Sequence, residues 1–233
     1  MVRVSCPRYN EALEEVFETE ELKKVAKDNA QLYQELTEHT GAPVKTPEDV
    51  SSLYSTLRAE TEYGLKLPAW TKKYYPEQLI DLTDQSYIYN VYTDELKKFK
   101  AGPWYEKLLK EYSEKVEGKL KPKDRKILMY TGHDSTVVNY LHALGVWDKQ
   151  FPTYGIMAIW ELVKDKQSGV VGVQMYLRNS TRNGATPLTI PGCSHFCPLD
   201  DFAAAARKVI PLNFEKECQP KNKNYTPPPP SGP

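Results

Sequence analysis

Residues 125–144 read Arg-Lys-Ile-Leu-Met-Tyr-Thr-Gly-His-Asp-Ser-Thr-Val-Val-Asn-Tyr-Leu-His-Ala-Leu, and they restrict the fold more than any other stretch. Ile127 to Thr131 predicts a buried strand that turns at Gly132 into a helix. Val137, Val138, Leu141 and Leu144 then recur at the spacing of a single apolar helix face. A strand feeding straight into a helix is half of a βαβ unit, and open α/β sheets bind ligands where their strands end at the carboxyl edge. His133 and Asp134 sit at that turn. A helix N-terminus there offers N–H groups and a favourable dipole to an anion such as phosphate. The triplet also suits a purely structural role, since Asp134 or Ser135 can cap the helix and Gly132 is an ordinary turn residue.

The rest of the chain sets outer limits. Its 233 residues suffice for one large domain or two modest ones. Lys plus Arg number 31 and Asp plus Glu number 31, so no basic field points to nucleic acid. No apolar run approaches the roughly 18 residues of a membrane span. Met1 to Cys6 is too short and polar for a signal peptide, so the chain as written carries no export address.

The first hundred residues predict helices. Asn10 suits the cap of a short helix through Leu13, Val16 and Phe17, and a second pattern runs from Leu22 through Leu36 to Gly41. Thr46-Pro-Glu-Asp49 is a clear start, with a cap hydroxyl, proline at the first helical position and acids in the first turn. Further helices are expected from Pro76 and from Pro103, the last stopped by Gly118. Beyond the His-Asp turn, Ile156–Val163 and Val170–Leu177 read as two strands of a hairpin, and Asp200–Val209 as a short alanine-rich helix. From Gln219 onward Lys, Asn, Pro, Ser and Gly dominate, ending in the Pro227–Pro230 run. That composition predicts a disordered end. The expected organisation is a helical region over 1–120, an α/β core over 121–218 and a proline-rich tail over 219–233.

Cysteines and sequons point to the secretory route. The four cysteines are even in number, and Cys193-Ser-His-Phe-Cys197 is spaced for a tight local loop. A metal fragment around His195 is the other reading, but two thiols without a second ligand pair make a poor zinc site. Asn179-Ser-Thr181 and Asn224-Tyr-Thr226 are glycosylation sequons in polar surroundings.

Taken in order, Met-Tyr-Thr-Gly-His-Asp-Ser-Thr-Val, Leu-His-Ala-Leu-Gly-Val, Pro-Thr-Tyr-Gly, Trp-Glu-Leu, Tyr-Leu-Arg-Asn-Ser-Thr and Pro-Gly-Cys-Ser-His-Phe-Cys-Pro-Leu resemble the histidine acid phosphatases. The likeness is greatest to the lysosomal and prostatic branch, in an insect-type version, and it runs from Cys6 to about Cys218. It implies the C-terminal part of an α/β three-layer sandwich of the phosphoglycerate-mutase-like type, with a mainly helical cap domain. It implies disulfides Cys6–Cys218 and Cys193–Cys197, and it favours a sugar on Asn179. It implies phosphomonoester hydrolysis without metal or other cofactor. His133 would donate to the phosphate and Asp134 would protonate the leaving-group oxygen, which gives an acid optimum if Asp134 must be protonated to work. It implies a secreted or lysosomal protein, and it admits a homodimer, although no residue locates an interface. Tyr54 falls near the family's aromatic residue over the substrate mouth, in a region where the match is loose.

The family's nucleophile is a histidine within Arg-His-Gly-x-Arg-x-Pro, and no Arg-His-Gly occurs in these 233 residues. His39, His142 and His195 lack its strand-then-glycine context and read as structural or surface residues. Two expectations follow. Either the chain is the C-terminal two-thirds of an acid phosphatase and is inactive alone, or it is a catalytically dead secreted binding protein or antigen. Without neighbouring strands, the apolar faces of Ile127–Tyr130 and of the hairpin would be exposed.

Overall fold

A computed structural model describes residues 6–228. In chain order its helices begin with α1 (Pro7–Phe17), α2 (Glu20–Asp28), α3 (Ala30–Thr40) and α4 (Pro47–Glu62). A short 3₁₀ turn (Ala69–Lys73), α5 (Glu77–Tyr89), α6 (Asp94–Val116) and α7 (Asp134–Ala143) follow. Strands β1 (Met157–Lys164), β2 (Val171–Arg178), β3 (Thr186–Leu188) and β4 (Cys197–Pro198) precede α8 (Leu199–Arg207) and α9 (Phe214–Glu217). The fold is mixed α/β, as expected. It divides into two compact units, one of Met1–Ala12, Val91–Asp148 and Pro152–Pro233, the other of Leu13–Asn90 and Lys149–Phe151.

The smaller unit is helical. Its α4 starts as its sequence demands. The Thr46 hydroxyl accepts from Asp49 N at 3.2 Å, and the Asp49 carboxylate accepts from Thr46 N at 3.0 Å. Pro47 takes the first turn, where no N–H is needed. The expected single helix across Leu22–Leu36 is instead two, broken at Asn29. That residue leaves helical geometry, and its side-chain amide donates to Val25 O at 2.8 Å. An asparagine that satisfies the backbone locally competes with helix continuation, which apolar periodicity does not register. α3 ends at Gly41, whose φ of 71° is a left-handed conformation that glycine adopts without penalty. Leu36, Val50, Tyr54, Leu57, Leu79 and Leu82 form the core here.

The larger unit packs α6, α7 and α8 with the sheet. β2 is central to a sheet whose described pairings are all antiparallel, bonded to β1, β3 and β4. The hairpin holds Met157 opposite Arg178 and Lys164 opposite Val171. Val173, Met175 and Leu177 point from β2 into a core with Trp104, Tyr105, Leu108, Leu141 and Phe202. Alternate residues of one strand share one face, which explains the two-residue spacing. Tyr105 donates to Tyr140 O at 2.7 Å, giving its buried hydroxyl a partner between α6 and α7. Gly102 lies so close to the chain after α8 that an added Cβ would stand 2.4 Å from Val209 O.

Three expectations change here. Asn10 is inside α1, not its cap, because Pro7 opens that helix. Pro103 does not open a helix either. Thr93 caps α6 ten residues earlier, with Asp94 and Glu95 in the first turn, and Pro103 is carried inside it. A strong cap and acidic first turn fix the start, and α6 packs with α7 and α8. Ile127–Thr131 is not a strand. It has no strand partner among the described residues, and Ile127 and Met129 are 80% and 84% exposed. A strand exists only by pairing, so apolar alternation alone cannot make one.

Residues from Gln219 begin with fixed structure. Lys221 N and Asn222 N donate to Glu11 at 2.7 and 2.8 Å. The end of the proline run, from Pro229, lies outside the described residues.

Candidate active site

The turn that presents His133 and Asp134 is built on α7, whose buried residues Val138, Tyr140 and Leu141 fix it to the core. His133 has the extended backbone of an N-cap (φ −80°, ψ 164°), and its carbonyl accepts from Thr136 N at 3.0 Å. Its ring makes no capping hydrogen bond, so the side chain is not spent on the helix. The Asp134 carboxylate accepts from Ser135 N at 2.6 Å. Both residues are exposed. Gly132 keeps the approach open, since a Cβ there would meet the Thr136 side chain at 3.2 Å. An imidazole and a carboxylate thus stand side by side at a helix N-terminus, where the dipole favours an anion.

The stretch leading to that turn is secured to α6. Lys115 Nζ donates to Arg125 O at 2.6 Å. Tyr130 donates its hydroxyl to the Glu111 carboxylate and accepts from Lys107 Nζ at 3.0 Å. Burial pushes the Tyr130 hydroxyl above its ordinary value, and the Glu111 acceptor adds to that. Sequence reasoning missed this group. Lys107 and Glu111 were visible as neighbours four apart on a helix, but no local signal links them to Tyr130.

The remaining residues fall elsewhere. His142 lies in the last turn of α7, away from His133, and burial lowers its value, with Lys97 adding to the effect. His195 meets Tyr176 edge-on at 5.0 Å with its ring Nδ1 3.3 Å from Leu188 O, and His39 stacks on Trp70 at 4.9 Å. Tyr54 packs beside Tyr75 and Phe151 in the smaller unit. Cys6 is bonded to Cys218 and Cys193 to Cys197, which removes the metal-fragment reading of Cys193 and Cys197. Asn179 Oδ1 accepts from Thr153 N at 2.7 Å, and Asn224 is exposed. Among the described residues no helix is long and apolar enough to cross a membrane.

A family model described as the histidine phosphatase superfamily (branch 2) matches residues 1–168. The chain belongs to that family. The match covers the His133–Asp134 turn and the hairpin's first strand. Histidine phosphatase relatives include a lysosomal acid phosphatase of Rattus norvegicus, 33% identical over 217 residues. That match spans 92% of this chain and 50% of the relative. A venom acid phosphatase of Apis mellifera is 34% identical over 214 residues, 91% of this chain and 54% of its own length. A prostatic acid phosphatase of Rattus norvegicus is 32% identical over 217 residues, 91% of this chain and 56% of its own. The chain therefore spans about half the length of the curated relatives it matches.

Proposed function

We propose that this chain forms the C-terminal part of an acid phosphatase that hydrolyses phosphomonoesters, with His133 and Asp134 as half of its site. The observation that carries the reading is the solvent-facing His133–Asp134 pair at the head of α7 in a histidine phosphatase. The nucleophile comes from an Arg-His-Gly-x-Arg-x-Pro segment that this sequence does not contain. Its histidine attacks phosphorus in line, forming the N–P bond as the P–O bond to the leaving group breaks. His133 donates to a phosphoryl oxygen, and arginines of the same segment share that charge. Asp134 gives its proton to the departing alkoxide. In the second half-reaction a water attacks the phosphohistidine, its P–O bond forming as the N–P bond breaks and restores the histidine, while Asp134 takes the water's proton and inorganic phosphate leaves. No cofactor is needed for either step. The exposed Ile127 and Met129 support a longer protein, because neighbouring large apolar side chains are normally covered. Alone, the 233-residue chain is expected to be inactive. Disulfides and sequons favour a secreted or lysosomal setting.

Asp134→Ala in the complete polypeptide tests the assignment. Its loss of rate should be greater for an alkyl phosphate, a poor leaving group, than for p-nitrophenyl phosphate, because only the former needs the proton badly. Equal losses on both substrates would reduce Asp134 to a helix-terminal residue.

A further inference from the structure

Between Lys126 and His133 the described chain is fastened by a side-chain hydrogen bond at one residue, Tyr130. Its hydroxyl reaches Glu111, a carboxylate only 8% exposed. The same carboxylate pairs with Lys107, one helical turn away on α6. Lys107 closes the triangle, with its ammonium 3.0 Å from the Tyr130 oxygen and 5.0 Å from the ring centre. Trp104, a further turn back, meets that ring edge-on at 6.3 Å. On either side of Tyr130, Met129 and Thr131 face solvent. A buried carboxylate needs partners. Here its partners are the tyrosine three residues before His133 and the lysine that steadies it.

We propose that Glu111 is a positioning residue for phosphoryl transfer, acting through Tyr130 to set where the chain enters the His133–Asp134 turn. The inference deepens the proposed function and rests on it. α7 fixes the far side of the turn through its buried face, and the Tyr130–Glu111 contact fixes the near side. With both sides held, the two residues between Tyr130 and His133 have little room to swing. Without Glu111 the near side keeps only the Lys107 and Trp104 contacts and is held less firmly. Catalysis is sensitive to such freedom, since misplacing a reacting group by about 1 Å can cost about a hundredfold in rate.

The test uses the complete polypeptide, with Glu111→Gln, Tyr130→Phe and the double variant assayed on p-nitrophenyl phosphate at acid pH. Tyr130→Phe keeps the ring against Trp104, so it removes the hydroxyl's hydrogen bonds to Glu111 and from Lys107 and little else. Each single variant should lower kcat about tenfold with KM within about twofold, as expected for lost positioning rather than lost binding. The double variant should be no worse than the poorer single, because the two residues act as one unit. Single-variant values of kcat within about twofold of the parent, or losses that multiply in the double variant, would overturn the proposal. If Glu111→Gln fails to fold, Tyr130→Phe decides. Asp134→Ala, run alongside, separates the two failures. An Asp134→Ala enzyme that loses no more rate on an alkyl phosphate than on p-nitrophenyl phosphate sinks the proposed function itself, whereas the predicted greater loss on the alkyl phosphate beside unimpaired Tyr130→Phe sinks only the positioning role. A readout independent of turnover is the amide resonances of Gly132 and His133 in the 233-residue chain. Both should move in Glu111→Gln and Tyr130→Phe, and unmoved resonances would contradict the link.

Discussion

Thr46 opens α4 by exchanging two hydrogen bonds with Asp49, and each satisfies a backbone N–H that the helix itself leaves unpaired. Thr46→Ala should therefore cost about 1 kcal/mol in the unfolding of the smaller unit, measured by denaturant titration. No measurable change would mean that tertiary packing alone sets that end of the helix. At this scale the sequence was readable. The cap at Thr46, the stop at Gly41, the disulfide partners and the His133–Asp134 pair are all legible in the sequence, because each depends on chemistry within a few residues or on a family likeness. Asn29 was not, since its break in the helix turns on a side chain preferring Val25 O to solvent. Tyr130–Glu111 was not either, since 19 residues separate the partners.

At the scale of elements, the hairpin formed where branched and aromatic residues alternate, and the 127–131 strand did not, although its composition is as apolar. The difference lies in partners. β1 and β2 supply each other's hydrogen bonds along eight residue pairs, whereas Ile127 and Met129 lie on a segment with no strand partner among the described residues. Period-two patterning records what a face could bury, not whether a neighbour exists to bury it. The same reasoning gives a paired prediction. Ile127→Lys and Met129→Lys should leave the unfolding midpoint of the 233-residue chain almost unchanged, as surface substitutions usually do, within about 0.5 kcal/mol. In a complete polypeptide that covers this segment, either change should sharply reduce the yield of folded protein. Equal tolerance in both contexts would show that the segment stays on the surface. Pro103 belongs at this scale too. Read alone it announces a helix start, but Thr93, Asp94 and Glu95 set the start earlier and the packing of α6 carries the helix across it.

At the scale of the molecule, the two ends of the larger unit are held by more than Cys6–Cys218. Arg8, 1% exposed, pairs with Glu11 at 2.8 Å and Glu95 at 2.7 Å, while its backbone N donates to Cys218 O at 3.0 Å. Burial pushes the Glu11 carboxyl up, but bonds from Arg8, Asn222 and Lys221 more than offset this and hold it below its ordinary value. Hydrogen bonding from Arg8 holds Glu95 down as well, against a smaller effect of burial. Carboxylates with depressed values in the folded protein stabilise it above the ordinary glutamate range, and that contribution is lost as pH falls through the depressed values. Arg8→Met should accordingly lower Tm clearly near neutral pH and much less at pH about 3, where unfolded glutamates are already protonated. The same drop at both pH values would mean that Arg8 serves by packing alone. This network was hidden in the sequence, which offered Gln219 onward as a tail and gave no sign that Lys221 and Asn222 return to α1. The central claim is that His133 and Asp134 are half of a phosphatase site. The most direct measurement is hydrolysis of p-nitrophenyl phosphate at acid pH by the 233-residue chain beside a polypeptide extended upstream through an Arg-His-Gly motif. Activity confined to the extended form, and abolished there by His133→Ala, is the predicted result. Substantial turnover by the 233-residue chain, or inactivity of both forms, would contradict it.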